Sequence, residues 1–274
     1  MQGDKARCDK ARSCFLLMKL SFLGTGTSYG VPYIGCDCAV CHSSDARNMR
    51  LRASILVEDD ATRLLVDTTP DLRTQLLRAE VSSLSAILWT HLHNDHVIGL
   101  DDIRPISDRV GYIDGYADRE TMTRLKTVFD YVFVKERDHG GFPRASDHLL
   151  EPRQRVRLGT FTVTAIPILH GRREIFAYRF DKDNKSLVYA TDCSHIPDAS
   201  WELMEGADLL VLGALRHREH PTHFTLNQAL EAVEQLQPRR ALFTHIAHDL
   251  DHEATNATLP PGVELAYDGL SVQV

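Results

Sequence analysis

Short apolar runs, punctuated by glycine, proline and aspartate, recur from residue 19 onward, and most are too short to form a helix. They predict strands at 19–24, 52–57, 62–67, 85–89, 154–158, 161–167, 175–180, 186–190, 208–213, 240–244, 263–267 and 270–273. Apolar residues three and four apart predict helices at 70–78, 94–101, 118–128, 198–205 and 225–236. The last is the clearest. Thr225 is placed to cap it, Gln228 completes a capping box, Leu226, Ala229, Leu230, Val233 and Leu236 share a face, and Pro238 stops it. Residues 129–150, with Gly140, Gly141 and Pro143, form the longest stretch without a periodic pattern, the mark of a lid or an interface. Strand-rich halves with helices outside predict two sheets packed face to face, each covered by helices.

Composition sharpens this picture. A chain of 274 residues can bury one large core without disulfides, and a single domain over 18–274 is expected. Residues 1–17 are charged and aperiodic, and Met18 stands directly before the first strand, so they read as a disordered extension or an overextended start of translation. A secretory signal is disfavoured because its apolar stretch would be too short and would carry Lys19. Nothing approaches the roughly 18 apolar residues of a membrane helix, so a soluble, cytoplasmic protein without a membrane partner is expected. The net charge of −7 gives no field that would attract a polyanion, which makes nucleic acid an unfavoured partner. Local basic groups can still hold a phosphate.

The candidate chemistry sits in the run H-L-H-N-D-H, where His91, His93, Asp95 and His96 follow a strand-like segment and precede a helix. A loop at the carboxyl end of a strand is where open α/β sheets gather binding groups. Imidazole and carboxylate suit zinc, manganese or iron. Four such groups in six residues do not easily wrap one ion; two adjacent ions fit better. Four further apolar segments each end in a residue of ligand type: Asp67, His170, Asp192 and His245. One such ending is weak; together with H-x-H-x-D-H they form a constellation.

The series Asp67, His91-x-His93-x-Asp95-His96, His170, Asp192, His245 resembles the five ordered motifs of the metallo-β-lactamase superfamily. The resemblance implies an αββα four-layer sandwich of two mixed sheets flanked by helices, with a dinuclear site in the cleft between the sheets. It implies that His91, His93 and His170 hold one metal, that Asp95, His96 and His245 hold the other, and that Asp192 bridges them. Asp67 would support the histidine loop from behind. The diiron oxygen-reducing branch carries an acidic residue where His93 stands, and zinc lactamases usually place a cysteine at Asp192. Phosphodiesterase and nuclease branches keep the aspartate, as this chain does.

A glycine-rich segment, residues 24–32, runs into Cys36-x-Cys38-x2-Cys41. No Gly-Lys-Ser/Thr follows those glycines, which excludes a nucleotide-binding P-loop. Three thiols suit a structural zinc, with His248 as the chosen fourth ligand and His42 as the local alternative. A disulfide would leave one thiol unpaired, and Cys36 and Cys38 are too close to bridge without strain. The cysteine loop and the ending T-H-I-A-H also resemble the cyclic phosphodiesterase family of bacterial phosphonate breakdown. That family implies an extra zinc held by three cysteines and a histidine, and a phosphorylated cyclic ribose phosphate as substrate.

The expected enzyme is a hydrolase of phosphoric diesters acting on a small phosphorylated or cyclic ribose or nucleotide compound. Its expected cofactors are two catalytic divalent metals, zinc or manganese, and one structural zinc. Hydroxide generated between two metals is the expected nucleophile. His223, just before the helix at Thr225, is the expected proton donor to the leaving oxygen, with Asp95 the other catalytic candidate. Arg104, Arg172 and Arg173 are candidates to grip a second phosphate, while His195, His217 and His220 stay unassigned. A homodimer is the candidate assembly. Competing readings are an RNA 3′-end nuclease of the tRNase Z kind, a glyoxalase-type acyl hydrolase, and a degenerate metal-binding scaffold.

Overall fold

The apolar runs become the strands of two seven-stranded sheets. The computed structural model describes residues 17–134 and 141–274. The expected extension over 1–17, save Leu17, lies outside the described residues, as do residues 135–140 of the aperiodic stretch.

The first sheet contains β1 (Lys19–Gly24), β2 (Ser54–Glu58), β3 (Arg63–Val66), β4 (Ala86–Leu88), β5 (Ile113–Ala117) and β6 (Ala145–Leu149) in that spatial order. The second contains β7 (Arg155–Leu158), β8 (Phe161–His170), β9 (Arg173–Lys182), β10 (Lys185–Ala190), β11 (Leu209–Gly213), β12 (Arg240–Thr244) and β13 (Val263–Leu265), again in order. The last strand, β14 (Ser271–Gln273), returns to the first sheet and pairs with β1. Both sheets are mixed: β1 to β3 and β7 to β10 pair antiparallel, whereas β3 to β6 and β10 to β13 pair parallel.

The uninterrupted apolar runs have a direct cause. In β10, Leu187 and Tyr189 enter the core between the sheets while Val188 and Ala190 face the outer helices. In β11, Leu209 and Val211 point inward, and Leu210 and Leu212 outward. A strand covered on both faces has no polar side to show. Helices α1 (Leu72–Arg78), α2 (Asn94–Val97), α3 (Arg104–Val110) and α4 (Arg119–Val128) lie in the first half, and their apolar residues pack on the outer side of the first sheet. Helices α5 (Asp198–Met204) and α6 (Leu226–Leu236) do the same for the second sheet, and the short α7 (His252–Asn256) follows β12. Three apolar layers separate four layers of structure, the αββα sandwich. Among the described residues no helix is long and apolar enough to cross a membrane.

Several elements depart from the sequence pattern. The helix expected at 94–101 is broken into α2, a 3-10 turn at Leu100–Ile103, and α3, which runs on to Val110. The strands expected at 161–167 and 175–180 extend into one long hairpin whose tip pairs His170 with Arg173. Gly171 at that tip has φ +65°, and a Cβ there would lie 2.8 Å from Thr222 Cγ2. Only glycine suits both demands. The hairpin thereby carries His170 to the rim where β3, β4, β10 and β12 also end.

Candidate metal centre

Each expected ligand follows a strand that the core holds rigidly. His91 and His93 come from the loop after β4, Asp95 and His96 from α2, His170 from the end of β8, Asp192 from just past β10, and His245 from just past β12. Asp67, Asp192 and His245 have left-handed backbones, with φ of 66°, 54° and 57°. Such φ values cost of order 1 kcal/mol or more outside glycine and persist where surrounding structure enforces them. At Asp192 and His245 the turn brings the side chain into the ligand cluster, and at Asp67 it brings the carboxylate to His96 and Thr90 behind it.

Ligand atoms of His91, His93 and His170 lie within 4.8 Å of one another, as do those of Asp95, His96, Asp192 and His245. His91 Nε2 and His93 Nδ1 are 3.0 Å apart. Asp192 stands between the groups, Oδ1 being 3.4 Å from His96 Nε2 while Oδ2 is 3.3 Å from His245 Nε2 and 3.9 Å from His91 Nε2.

The hydrogen bonds behind these rings decide which nitrogens face the cleft. His96 Nδ1 donates to Asp67 Oδ2 at 2.8 Å, and its buried Nε2 has no hydrogen-bond partner. Thr90 gives its hydroxyl proton to Asp67 at 2.9 Å, so at 3.0 Å it accepts from His91 Nδ1 and leaves His91 Nε2 for the cleft. His170 Nδ1 donates to the Thr222 carbonyl at 2.7 Å, with the same result. Both ring nitrogens of buried His245 also lack hydrogen-bond partners. Buried polar atoms without partners are costly, and their convergence on one point fits divalent cations.

Charge agrees. Burial pushes His91 well below its ordinary range and lowers His93 and His170, and it takes His245 down to about 4. Neutral rings keep the lone pair a metal needs. Burial alone would lower His96 too, but the carboxylates of Asp192, Asp95 and Asp67 outweigh it and hold the ring well above its usual range. Burial would raise Asp192, yet His245 and His96 hold its carboxyl well below the usual one. This donor set is thus rich in buried negative charge that cations offset.

His223 lies at the rim of this cluster, with Nε2 3.3 Å from Asp192 Oδ2 and its ring stacked on His245 at 4.8 Å between centroids. Arg172 and Arg173 line a neighbouring groove with Arg119 and Glu120, and Arg173 Nη1 donates to Glu120 Oε1 at 2.5 Å. Arg104 is not brought in. It sits exposed at the start of α3 with its guanidinium against Gly141. Two arginines that the sequence did not single out, Arg119 and Arg124 on α4, instead line a cavity of about 980 Å³ with His93 and Asp95. His195 and His217 are exposed, while His220 is half-buried against His223.

The thiols of Cys36, Cys38 and Cys41 lie 3.2, 3.6 and 3.4 Å from His248 Nδ1. A tetrahedron with zinc bonds of about 2.3 Å to sulfur and 2.0–2.1 Å to nitrogen has edges of about 3.6 Å, so four donors fit one ion. No disulfide joins these cysteines. His42 points elsewhere, to Asp37 at 3.5 Å. Tyr33 stacks on the His248 ring at 3.9 Å and donates its amide to Cys41 Sγ at 3.3 Å.

Residues 62–246 match the family described as the beta-lactamase superfamily domain. The chain belongs to the metallo-β-lactamase superfamily. A solved structure described as a new diphosphatase from the PhnP family is 44% identical and superposes with a TM-score of 0.86 over 94% of this chain and 98% of that one. With that likeness, the chain resembles the PhnP branch of the superfamily. Zinc-bound PqqB from Methylobacterium extorquens is 19% identical with a TM-score of 0.81, covering 93% of this chain and 100% of that one, a likeness of fold. An octanoyltransferase of Porphyromonas gingivalis is 36% identical over 256 residues, which are 92% of this chain. This superfamily member spans about half the length of that relative, 51%.

Proposed function

We propose that this protein is a dinuclear phosphodiesterase acting on a small phosphorylated substrate, such as a cyclic ribose phosphate or nucleotide. The observation that carries the reading is the placement of His223: a ring only 14% exposed at the rim faces its Nε2 to the Asp192 carboxylate at 3.3 Å, beside both ligand groups. His91, His93 and His170 would hold one divalent ion and Asp95, His96 and His245 the other, with Asp192 between them and zinc or manganese as the occupant. When bound, the two ions supply positive charge to phosphoryl oxygens and lower the pKa of attacking water.

The protein's own groups do the rest. Asp67 and Thr90 engage Nδ1 of His96 and of His91, so the Nε2 atoms of both rings are the ones left for the cleft. His223 gives its Nε2 proton to the departing oxygen as the phosphorus–oxygen bond breaks. Arg119 and Arg124, beside His93 and Asp95, would attract a second phosphate on the same molecule. Cys36, Cys38, Cys41 and His248 would hold a structural zinc. The likeness to a diphosphatase supports attack at phosphorus.

The test pairs metal analysis of the purified protein with turnover of bis-p-nitrophenyl phosphate, cyclic ribose phosphates, a precursor tRNA and an acyl thioester. Hydrolysis of the small diesters, with two catalytic metals per chain, is expected. Cleavage confined to the tRNA or the thioester would overturn the reading.

A further inference from the structure

We propose that His220 is a positioning residue that keeps His223 protonated on Nδ1, so that the proton exchanged with substrate is always the one on Nε2. This rests on the reading of His223 as the acid. It adds the device that sets which ring nitrogen acts.

The argument starts from a donor that has no choice. The Thr222 peptide N–H is directed at His220 Nδ1 at 3.3 Å, and an amide N–H can only donate. His220 Nδ1 is therefore an unprotonated acceptor, and the proton of that neutral ring sits on Nε2. His223 Nδ1 lies 3.0 Å from the same atom. Two lone pairs would repel at that distance, so the proton between them belongs to His223. Thr222 Oγ1, 2.9 Å from His223 Nδ1, offers a second acceptor for that same proton.

The rest of the surroundings would not do this alone. On its other edge His223 faces Asp192 Oδ2 at 3.3 Å with Nε2, so nothing on that side holds a proton on Nδ1. A ring protonated on Nε2 alone is the wrong product of proton donation. When the ring has given its Nε2 proton to the leaving oxygen, the phosphorus–oxygen electron pair goes to that oxygen and the ring must end protonated on Nδ1. His220 stabilises that end state and holds the ring edge-on to His170, at 4.6 Å between centroids, and stacked on His245. Thr222 joins the two functions. Its carbonyl orients His170 and its N–H orients His220.

The experiment compares His220→Leu, which removes the acceptor, with His220→Asn, whose side-chain oxygen can take the place of Nδ1. Each is assayed on a diester with an alkyl leaving group, which needs a proton, and on a p-nitrophenyl diester, which needs none. His220→Leu should lose about tenfold or more in kcat on the alkyl diester alone, and His220→Asn should recover most of it. ¹⁵N NMR of the zinc-loaded protein should show neutral His223 protonated on Nδ1 in the wild type and on Nε2 in His220→Leu. Equal losses on both diesters, or a wild-type His223 with unprotonated Nδ1, would overturn the proposal. His223→Ala separates the two readings: if it leaves the alkyl diester unaffected the acid assignment fails, whereas the NMR tautomer still decides the role of His220.

Discussion

The Asp67 carboxylate accepts the Nδ1 proton of His96 at 2.8 Å, from a buried position where it also takes the Thr90 amide at 2.8 Å and the Thr90 hydroxyl. Three donors converge on one side chain that reaches no ligand position itself. Through His96 and through Thr90 it sets the tautomers of two histidines on different sides of the proposed dinuclear site.

Asp67→Asn replaces one acceptor oxygen with an amide NH2 that meets a donor. Either His96 or the Thr90 amide then loses its acceptor. Supporting residues of this kind are worth about 10- to 100-fold in metal affinity. The variant should fold and lose affinity on that scale in a chelator competition. Wild-type affinity would mean that Asp67 does not orient the site.

His223→Ala addresses the proton donor. The ring is absent from the two main ligand groups, so its loss should cut turnover of alkyl diesters by about 10²-fold or more while two catalytic metals remain bound. Metal analysis beside steady-state kinetics checks both halves. A variant that loses metal would place His223 among the ligands, a role its contact with Asp192 and His170 makes the natural competitor.

The same contacts show where sequence reading stops. Strands β10, β11 and β12 were legible because both faces are buried, and the residues at their ends stood out against that apolar background. β5 was hidden by Gly115, a poor strand former that is needed because a Cβ there would come within 2.7 Å of the Trp89 ring. β6 was hidden because an edge strand carries polar residues, of which Asp147 pairs with Lys126 at 2.7 Å. Short α7 offers little periodicity, though Asp251 caps it. Thr90, Thr222 and His220 act through hydrogen bonds set by turn geometry, which residue spacing does not encode. Arg119 and Arg124 approach His93 only because α4 follows β5, the strand that the pattern concealed.

His248 and the cysteine loop bind two distant parts of the chain. Ile246 donates its amide to the Thr25 carbonyl at 2.8 Å, and His248 meets Cys36 and Cys41 within 3.4 Å, so the loop carrying His245 is held at both ends. Structural zinc in small peptides supplies about 10–16 kcal/mol of apparent binding free energy, ample to hold two loops together. Cys38→Ser should lower Tm, remove one zinc per chain and reduce occupancy of the catalytic metals through His245. Unchanged zinc stoichiometry would show that these four residues bind no ion.

Far from the metal centre, Lys182 Nζ meets Asp59 Oδ2 at 2.7 Å with the carboxylate side chain 1% exposed, joining the turn between β2 and β3 to the far end of β9. Thr160 adds a hydroxyl at 2.6 Å, so the pair ties one sheet to the other. Burial pushes the Asp59 carboxyl up, but donors from Lys182, Thr160 and the amides of Ala61 and Thr62 outweigh it and hold it at about 2 rather than 3.8. A carboxyl whose pKa is depressed by folding stabilises the fold fully above its unfolded value and loses that contribution as pH falls through the folded one. Asp59→Asn should therefore be less stable at pH 7, by about 1.5–3 kcal/mol, the usual worth of hydrogen bonds to a charged group. The deficit should shrink between pH 4 and 2, where the wild type protonates too. Acid also reaches the ligand carboxylates, so the quantity to measure is the difference in Tm between the two proteins, which subtracts their shared loss. A difference that stays constant across that range would show that the Asp59 charge contributes nothing to stability.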